Sequence, residues 1–437
     1  MIKPGRRHSA LHFAEHAKED NTVAALQPVR GTHDSLPEES GLHRLVEDTA
    51  RAVAGRFGYG EIITPIFEFT DVFARTLGET SDVVTKEMYT FTDRSGDSLT
   101  LRPEGTAGIA RAFISNGLAQ NAPIKVFYRG PMFRHERPQK GRLRQFHQVG
   151  VELLGVENPL GDIEVITLGY HLLEALGLAG RVVLHLNSLG DLESRAAYRE
   201  ILVAYLQSHR ERLSQDSLTR LERNPLRVLD SKDEGDRAVV ANAPRLSEHL
   251  NQASRDFLAR VTDGLTRLNI PFKLDPLLVR GLDYYGHTAF EFVTTDLGSQ
   301  GTVLAGGRYD GLVRQMGGPP TPGIGWAAGV ERLAMLMGEA ARPVVRPFAL
   351  VPTGPETENI ALELADRLRR AGFVIDLGYS GTLGKRMKRA DRLKARAAII
   401  VGPDEIAKGE VGLRDLETGD QQAVALDALE AALARLV

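Results

Sequence analysis

The sequence contains no cysteine. That absence excludes disulfides, thiol nucleophiles, Cys-ligated zinc and Fe–S clusters together, and it fits a cytosolic chain. A strong charge of either sign is also missing. Lys and Arg total 54 and Asp and Glu total 57, for a net charge of −3. An anionic partner must therefore be met by a local basic patch. No apolar run approaches the ~18 residues of a membrane span. The N-terminal residues lack an apolar core followed by a small-residue cleavage site. With 42% hydrophobic and 25% charged residues, the 437-residue chain has a globular composition, enough for about three domains. Glycine, in contrast, is plentiful: 44 residues, about 10% against a usual ~7%, with a cluster in 298–329.

Residues 1–24 are polar and are expected to form a flexible N-terminal extension. Within it His8, His12 and His16 sit four apart, which suits either a metal site on one helix face or a solvated tail. Helical spacing follows over 38–57. A strand over 61–66 carries Pro65, which cannot donate to a ladder and so places it at an edge or an interface. Two β pieces, 88–92 and 98–101, precede a helix over 104–115. Strands at 124–134 and 145–154 are joined by a long basic loop. Residues 191–260 have helical period and read as an insertion. Gly-rich β texture returns over 278–295 and 301–309, and 322–337 reads as a Gly-rich turn, a strand and a helix. A Pro-bearing linker spans 342–347, and 348–437 alternates strand and helix, the pattern of a separate α/β domain.

Several clusters could carry chemistry. Between Lys125 and Arg144 stand seven basic residues and one acid, Glu136. Such a loop suits phosphate oxygens, or it is simply solvated. On the following strand Gln148, Gly150 and Glu152 share a face. The glycine leaves floor space between an amide and a carboxylate, and Arg134 stands at the loop's entry. That arrangement suits an anion beside a cation. Glu104 and Thr106 flank a helix start, where they serve either a ligand or the cap. The block 278–285 (LVRGLDYY) and the block 305–310 (AGGRYD) combine glycines, which permit close backbone approach to a ligand, with directional Arg and Tyr donors. A tight turn with an Arg280–Asp283 ion pair is the alternative. The GIGWAA of 323–328 mimics a dinucleotide fingerprint but follows GGPPTP rather than an apolar strand, so that reading is rejected. The segment 383–396 carries seven basic residues and one acid at helical spacing, a basic face for an RNA backbone or for water. Leu383, Met387, Ala390 and Leu393 would pack inward.

Taken together these blocks resemble the class II aminoacyl-tRNA synthetases, and within them the histidyl-tRNA synthetase family, from Pro28 to the C-terminus. The class motifs match 58–68, 128–152 and 323–333. The blocks 278–285 and 305–310 are the histidine-specific ones, and NPLRVLDSKD at 224–233 is family-like. The resemblance implies an α+β fold. A class II antiparallel-sheet catalytic domain would span 25–341, interrupted by the mostly helical insertion at about 191–260. A C-terminal α/β anticodon-binding domain would span 348–437. It also implies ATP-dependent activation of L-histidine to an adenylate with release of pyrophosphate, then transfer to tRNA(His). Arg134 and Arg280 would be catalytic, flanking the α-phosphate. Glu136, Arg142 and Arg332 would join them in binding ATP, with Mg2+ accompanying the nucleotide. Glu104, Thr106, Gln148, Glu152, Tyr285 and Tyr309 would form the histidine pocket. Gln139, Arg144, Arg386 and Arg389 would meet tRNA. The family further implies a cytoplasmic homodimer with no membrane contact. The rival within the same fold is the non-catalytic regulatory subunit of ATP phosphoribosyltransferase. That relative typically lacks the anticodon domain and degrades the histidine blocks.

Overall fold

The computed structural model describes residues 25–77, 83–139, 141–279, 284–298, 301–338, 341 and 346–436. The chain divides into two compact units, Met1–Arg342 and Pro343–Val437.

The strands of the first unit are β1 (Gly60–Glu61), β2 (Phe67–Phe69), β3 (Tyr89–Thr92), β4 (Ser98–Leu101), β5 (Ile124–Phe133), β6 (Gln145–Leu154), β7 (Val183–Ser188), β8 (Phe272–Leu274), β9 (Gly286–Val293), β10 (Thr302–Arg308) and β11 (Gly323–Gly329). Eight of them make one sheet in the order β1-β5-β6-β11-β10-β9-β7-β8. Its interior is antiparallel, and the β1–β5 and β7–β8 pairs at its two edges are parallel. Alternation along each strand sorts the side chains between two faces. Phe127, Val149, Val151, Leu153, Ile324 and Trp326 point into one core. Val46, Ile166, Leu172, Val261 and Leu333, from the helices Pro37–Arg56, Leu160–Ala175, Gln252–Arg267 and Val330–Met337, pack in that same core. Tyr128 and Met132 belong to the opposite core. Gln148, Gly150 and Glu152 alternate with Val149, Val151 and Leu153, so they lie on this second face as the strand parity predicts.

The strand expected over 61–66 shrinks to the two residues of β1, at the sheet's edge. Past it Pro65 has no N–H for a ladder. The chain instead reaches β2, which pairs with β4 and β3 in a small second sheet. The expected insertion folds into the helices Leu192–Ser208, Gln215–Arg223, Glu234–Val240 and Gln252–Arg267. Each opens on a side-chain N-cap, in turn Asp191, Ser214, Asp233 and Asn251, residue types that satisfy the first unpaired N–H groups.

In the second unit β12 (Phe348–Pro352), β13 (Ile375–Leu377), β14 (Ala397–Val401), β15 (Glu410–Asp415) and β16 (Gln421–Ala425) form a mixed sheet, order β13-β12-β14-β15-β16. The helix expected over 383–396 ends at Arg392, where Lys394 enters a left-handed conformation (φ 50°) and the chain turns into β14. No described helix is long and apolar enough to cross a membrane.

Candidate active site

A cleft with room for about 260 Å³ of solvent opens beside the β5–β6 loop. Its walls include Glu104, Thr106, Arg134, Glu136, Arg142, Gln148, Tyr285 and Arg332, eight of the residues singled out from the sequence. They come from six separate stretches of chain, brought together by the order β5-β6-β11-β10-β9.

One end of the cleft is basic. Arg134 donates through Nε to the Pro103 carbonyl (2.9 Å), and its guanidinium stands 5.3 Å from the Phe146 ring centroid. Arg332 donates to the carbonyls of Gly141 (3.1 Å) and Thr302 (2.8 Å). Burial, with Arg142 and Arg134 nearby, lowers its affinity for a proton, the signature of cations crowded together. Arg142 Nε lies 2.6 Å from Glu136 Oε2, a close ion pair without the alignment of a hydrogen bond.

Carboxylates stand beside this basic lining. Glu104 closes the first turn of the helix Thr106–Ser115, accepting the N–H groups of Thr106 (2.7 Å) and Ala107 (2.8 Å). The capping role weighed from the sequence is therefore real, and it fixes the carboxylate against the cleft. Burial raises its pKa, while the two N–H groups and Arg134 pull the other way. Glu152 is 1% exposed and lies behind the wall. It accepts hydrogen bonds from Thr106 Oγ1 (2.7 Å) and Tyr309 Oη. Burial pushes it up to about 8. Gln148 Oε1 is buried with no hydrogen-bond partner among the described residues, an open acceptor on the cleft wall.

The expected roles of two glycines change. A Cβ on Gly150 would lie 2.4 Å from Cζ of Tyr128, so the space beside Gln148 holds that ring rather than a ligand. A Cβ on Gly325 would lie 1.7 Å from Oε2 of Glu152. These glycines make room for the pocket's own side chains. Gly306 likewise approaches the carbonyl of Gly325, and Gly307 the ring of Tyr285.

Arg280 lies outside the described residues, with the rest of 280–283 including Asp283. Its flanks Tyr284 and Tyr285 are on the cleft wall, with ring centroids 4.5 Å apart. Gln139 and Arg142 form a small bridge in the β5–β6 loop. Arg144 donates to the carbonyls of Glu136 (3.3 Å) and Arg30 (3.2 Å). Arg389 sits on the C-terminal helix Leu383–Arg392, paired with Asp376 (2.7 Å). Arg386 does not join the expected basic face. Its side chain is 4% exposed, bonded to the Pro352 carbonyl and to Glu358 Oε1 (2.7 Å). Arg386 and Ala390, four apart, define the buried stripe, and Leu383, expected inside, is 40% exposed.

Sequence reasoning missed Tyr128, which shares a strand face with Met132 and could have been found by parity. It also missed the pair beneath Tyr309. Arg308, fully buried, binds Asp162 of the helix Leu160–Ala175 through Nε (3.1 Å) and Nη2, and also the Val156 carbonyl (2.9 Å). No local pattern joins positions 146 residues apart.

Comparison with known proteins agrees with this geometry. The family model described as Histidyl-tRNA synthetase matches residues 31–333, and that for an anticodon binding domain matches 348–436. The chain is 73% identical to the histidine–tRNA ligase of Rhodospirillum rubrum over 415 residues, 95% of this chain and all of that one. It is 55% identical to the corresponding ligase of Gluconacetobacter diazotrophicus, again over 95% of this chain and all of the relative. Among solved structures, apo histidyl-tRNA synthetase of S. aureus superposes with a TM-score of 0.79 at 36% identity, covering 93% of this chain and 99% of that one.

Proposed function

The chain belongs to the histidyl-tRNA synthetase family and is a ligase that joins histidine to its tRNA at the expense of ATP, and from that premise we propose how its residues divide the work. The observation that carries the reading is one cleft lined by Arg134, Arg142 and Arg332 together with Glu104 and Gln148. The regulatory-subunit reading is not favoured, since the relatives matched over their full length are ligases.

In the first step the histidine carboxylate attacks the α-phosphate, one anion approaching another. Positive charge held in advance at that phosphate lowers the barrier. Arg134 supplies it from one side and Arg280 from the other, while Arg332 and Arg142 hold the outer phosphates. Backbone carbonyls anchor Arg134 and Arg332, so their positions are set before substrate arrives. Mg2+ travels with the nucleotide. The carboxylates of Glu136 and Glu291 line the cleft and would offer Mg2+ the hard oxygen donors it takes.

Glu104 and the open Gln148 Oε1 receive the α-ammonium of histidine, beside Thr106. Glu152, Tyr285 and Tyr309 complete the imidazole pocket. Glu152 already holds Thr106 and Tyr309 on its two oxygens, which keeps the pocket in one arrangement. An imidazole offers a donor and an acceptor, and a site matched to both rejects an apolar isostere by ~10⁴–10⁵. Gln139 and Arg144 approach the acceptor end of tRNA, and Arg389 lies on the helix that faces the anticodon stem.

The active form is a cytoplasmic homodimer. Supporting the dimer are large apolar side chains left in solvent around the small sheet: Ile63 (84% exposed), Phe69 (59%) and Phe67 (52%). Exposed patches of this kind mark partner surfaces.

Replacing Arg134 by Ala tests the division of labour. Histidine-dependent ATP–pyrophosphate exchange should fall by ~10²–10³, the cost of losing one charge-stabilising donor. Exchange within twofold of the parent would refute the assigned role.

A further inference from the structure

We propose that His43, His147 and Glu331 form a binding site for a divalent transition-metal ion of the zinc or cobalt class. The three side chains come from three elements packed together: the helix Pro37–Arg56, β6 and the first turn of the helix Val330–Met337. One ligand atom from each lies within 4.8 Å of the others. Two imidazoles and a carboxylate are the donor set that borderline cations select over Mg2+ or Ca2+.

Part of the site is already held in place. Glu331 Oε1 accepts both the backbone N–H of His147 (2.8 Å) and its Nδ1 (2.9 Å), so the carboxylate and the imidazole are fixed on one another. That hydrogen bond accounts for two of the three groups and leaves His43 unexplained. The His43 ring centroid stands 6.0 Å from that of His147, tilted by 50°. Metal ligands at 2.0–2.2 Å in a tetrahedron stand roughly 3.3 Å apart. The atoms here lie within 4.8 Å, so binding requires the His43 side chain to turn toward the other two. Glu39 Oε1 lies 3.9 Å from His43 Nε2 and 2.9 Å from His33 Nε2, a further carboxylate within reach as a fourth ligand or as an orienting partner. The side chains of His43 and Glu331 are 11% and 12% exposed, and that of His147 is 32% exposed, which leaves an entry path and room for a water ligand.

Glu331 also lines the cleft beside Arg332, so the metal site is tested by the ion's own absorption and not by ligase activity. The experiment is a Co2+ titration of the full chain, first stripped with a chelator, followed by visible d–d absorption. It is run on the parent, on His43→Leu, on Glu331→Gln, and on a chain with His8, His12 and His16 changed to Ala. The parent and the tail variant should bind one equivalent with the intense bands of a four- or five-coordinate ion. His43→Leu and Glu331→Gln should each bind at least tenfold more weakly, with unchanged far-UV circular dichroism. Absence of those bands in the parent overturns the site. So does equal affinity in the folded His43→Leu and Glu331→Gln chains, or a signal lost only with the tail histidines.

Discussion

In the β5–β6 cleft, Arg134 and Arg332 are anchored by backbone carbonyls. In the C-terminal helix Leu383–Arg392, Arg386 and Arg389 are anchored by the carboxylates of Glu358 and Asp376. In the cleft a carboxylate is present too, but it is shared: Glu136 lies 2.6 Å from Arg142 and 3.8 Å from Arg134. A carboxylate positions a guanidinium and offsets its charge. In the second unit Arg386 and Arg389 are each paired with a carboxylate of their own, and Arg386 donates to the Pro352 carbonyl as well. Within the C-terminal helix, Lys385, Lys388 and Arg392 remain exposed.

The largest expected effect comes from removing an arginine assigned to the α-phosphate. Beyond Arg134→Ala, Arg280→Ala should lower pyrophosphate exchange by at least ~10² while the circular dichroism and the unfolding midpoint stay put. A variant that exchanges normally would return Arg280 to the turn-stabilising role. Next in size is a carboxylate-anchored arginine with no link to the cleft's charge. Asp162→Ala leaves Arg308 buried without its counter-ion and should cost about 3–5 kcal/mol, read by denaturant unfolding. A loss under 1 kcal/mol would mean that water or Asp310 compensates.

Much of this architecture was legible in the sequence. Strand parity places Gln148, Gly150 and Glu152 on one face, the β pieces at 88–92 and 98–101 correspond to β3 and β4, and strand–helix alternation outlines the second unit. What escaped was non-local. Helical spacing counts Arg386 among the solvated cations, because nothing local reveals that Glu358 and the Pro352 carbonyl wait on the inner side. Strand parity suggests floor space for a ligand at Gly150, yet that glycine makes room for Tyr128, as Gly325 does for Glu152. The histidine-specific block 278–285 was recognisable as a block, but Arg280 within it lies outside the described residues.

Smaller effects sharpen the contrast. Removing residues 344–437 should impair tRNA charging far more than adenylate formation, and equal loss of both would assign that region a structural role. Within it, Arg386→Met should lower the unfolding midpoint of the second unit, while the triple change of Lys385, Lys388 and Arg392 to Ala should raise the KM for tRNA several-fold with the midpoint unchanged. The reverse outcome would invert the assignment of the two faces.

Glu152 gives the most specific effect. Its carboxyl is raised by burial from 4.5 to about 8, so between those values the folded chain holds a proton that the unfolded chain has released. The stability this group contributes is complete below pH 4.5 and is lost as pH rises through 8. Thermal midpoints of the apo protein should therefore decline over this range more steeply than those of Glu152→Gln. Parallel curves would show that Glu152 titrates normally.

The central claim is that this one cleft activates histidine and no other amino acid. Its most direct test is ATP–pyrophosphate exchange measured with each of the twenty amino acids in turn. The account predicts exchange with histidine alone, and exchange supported by any other amino acid, or by none, would contradict it.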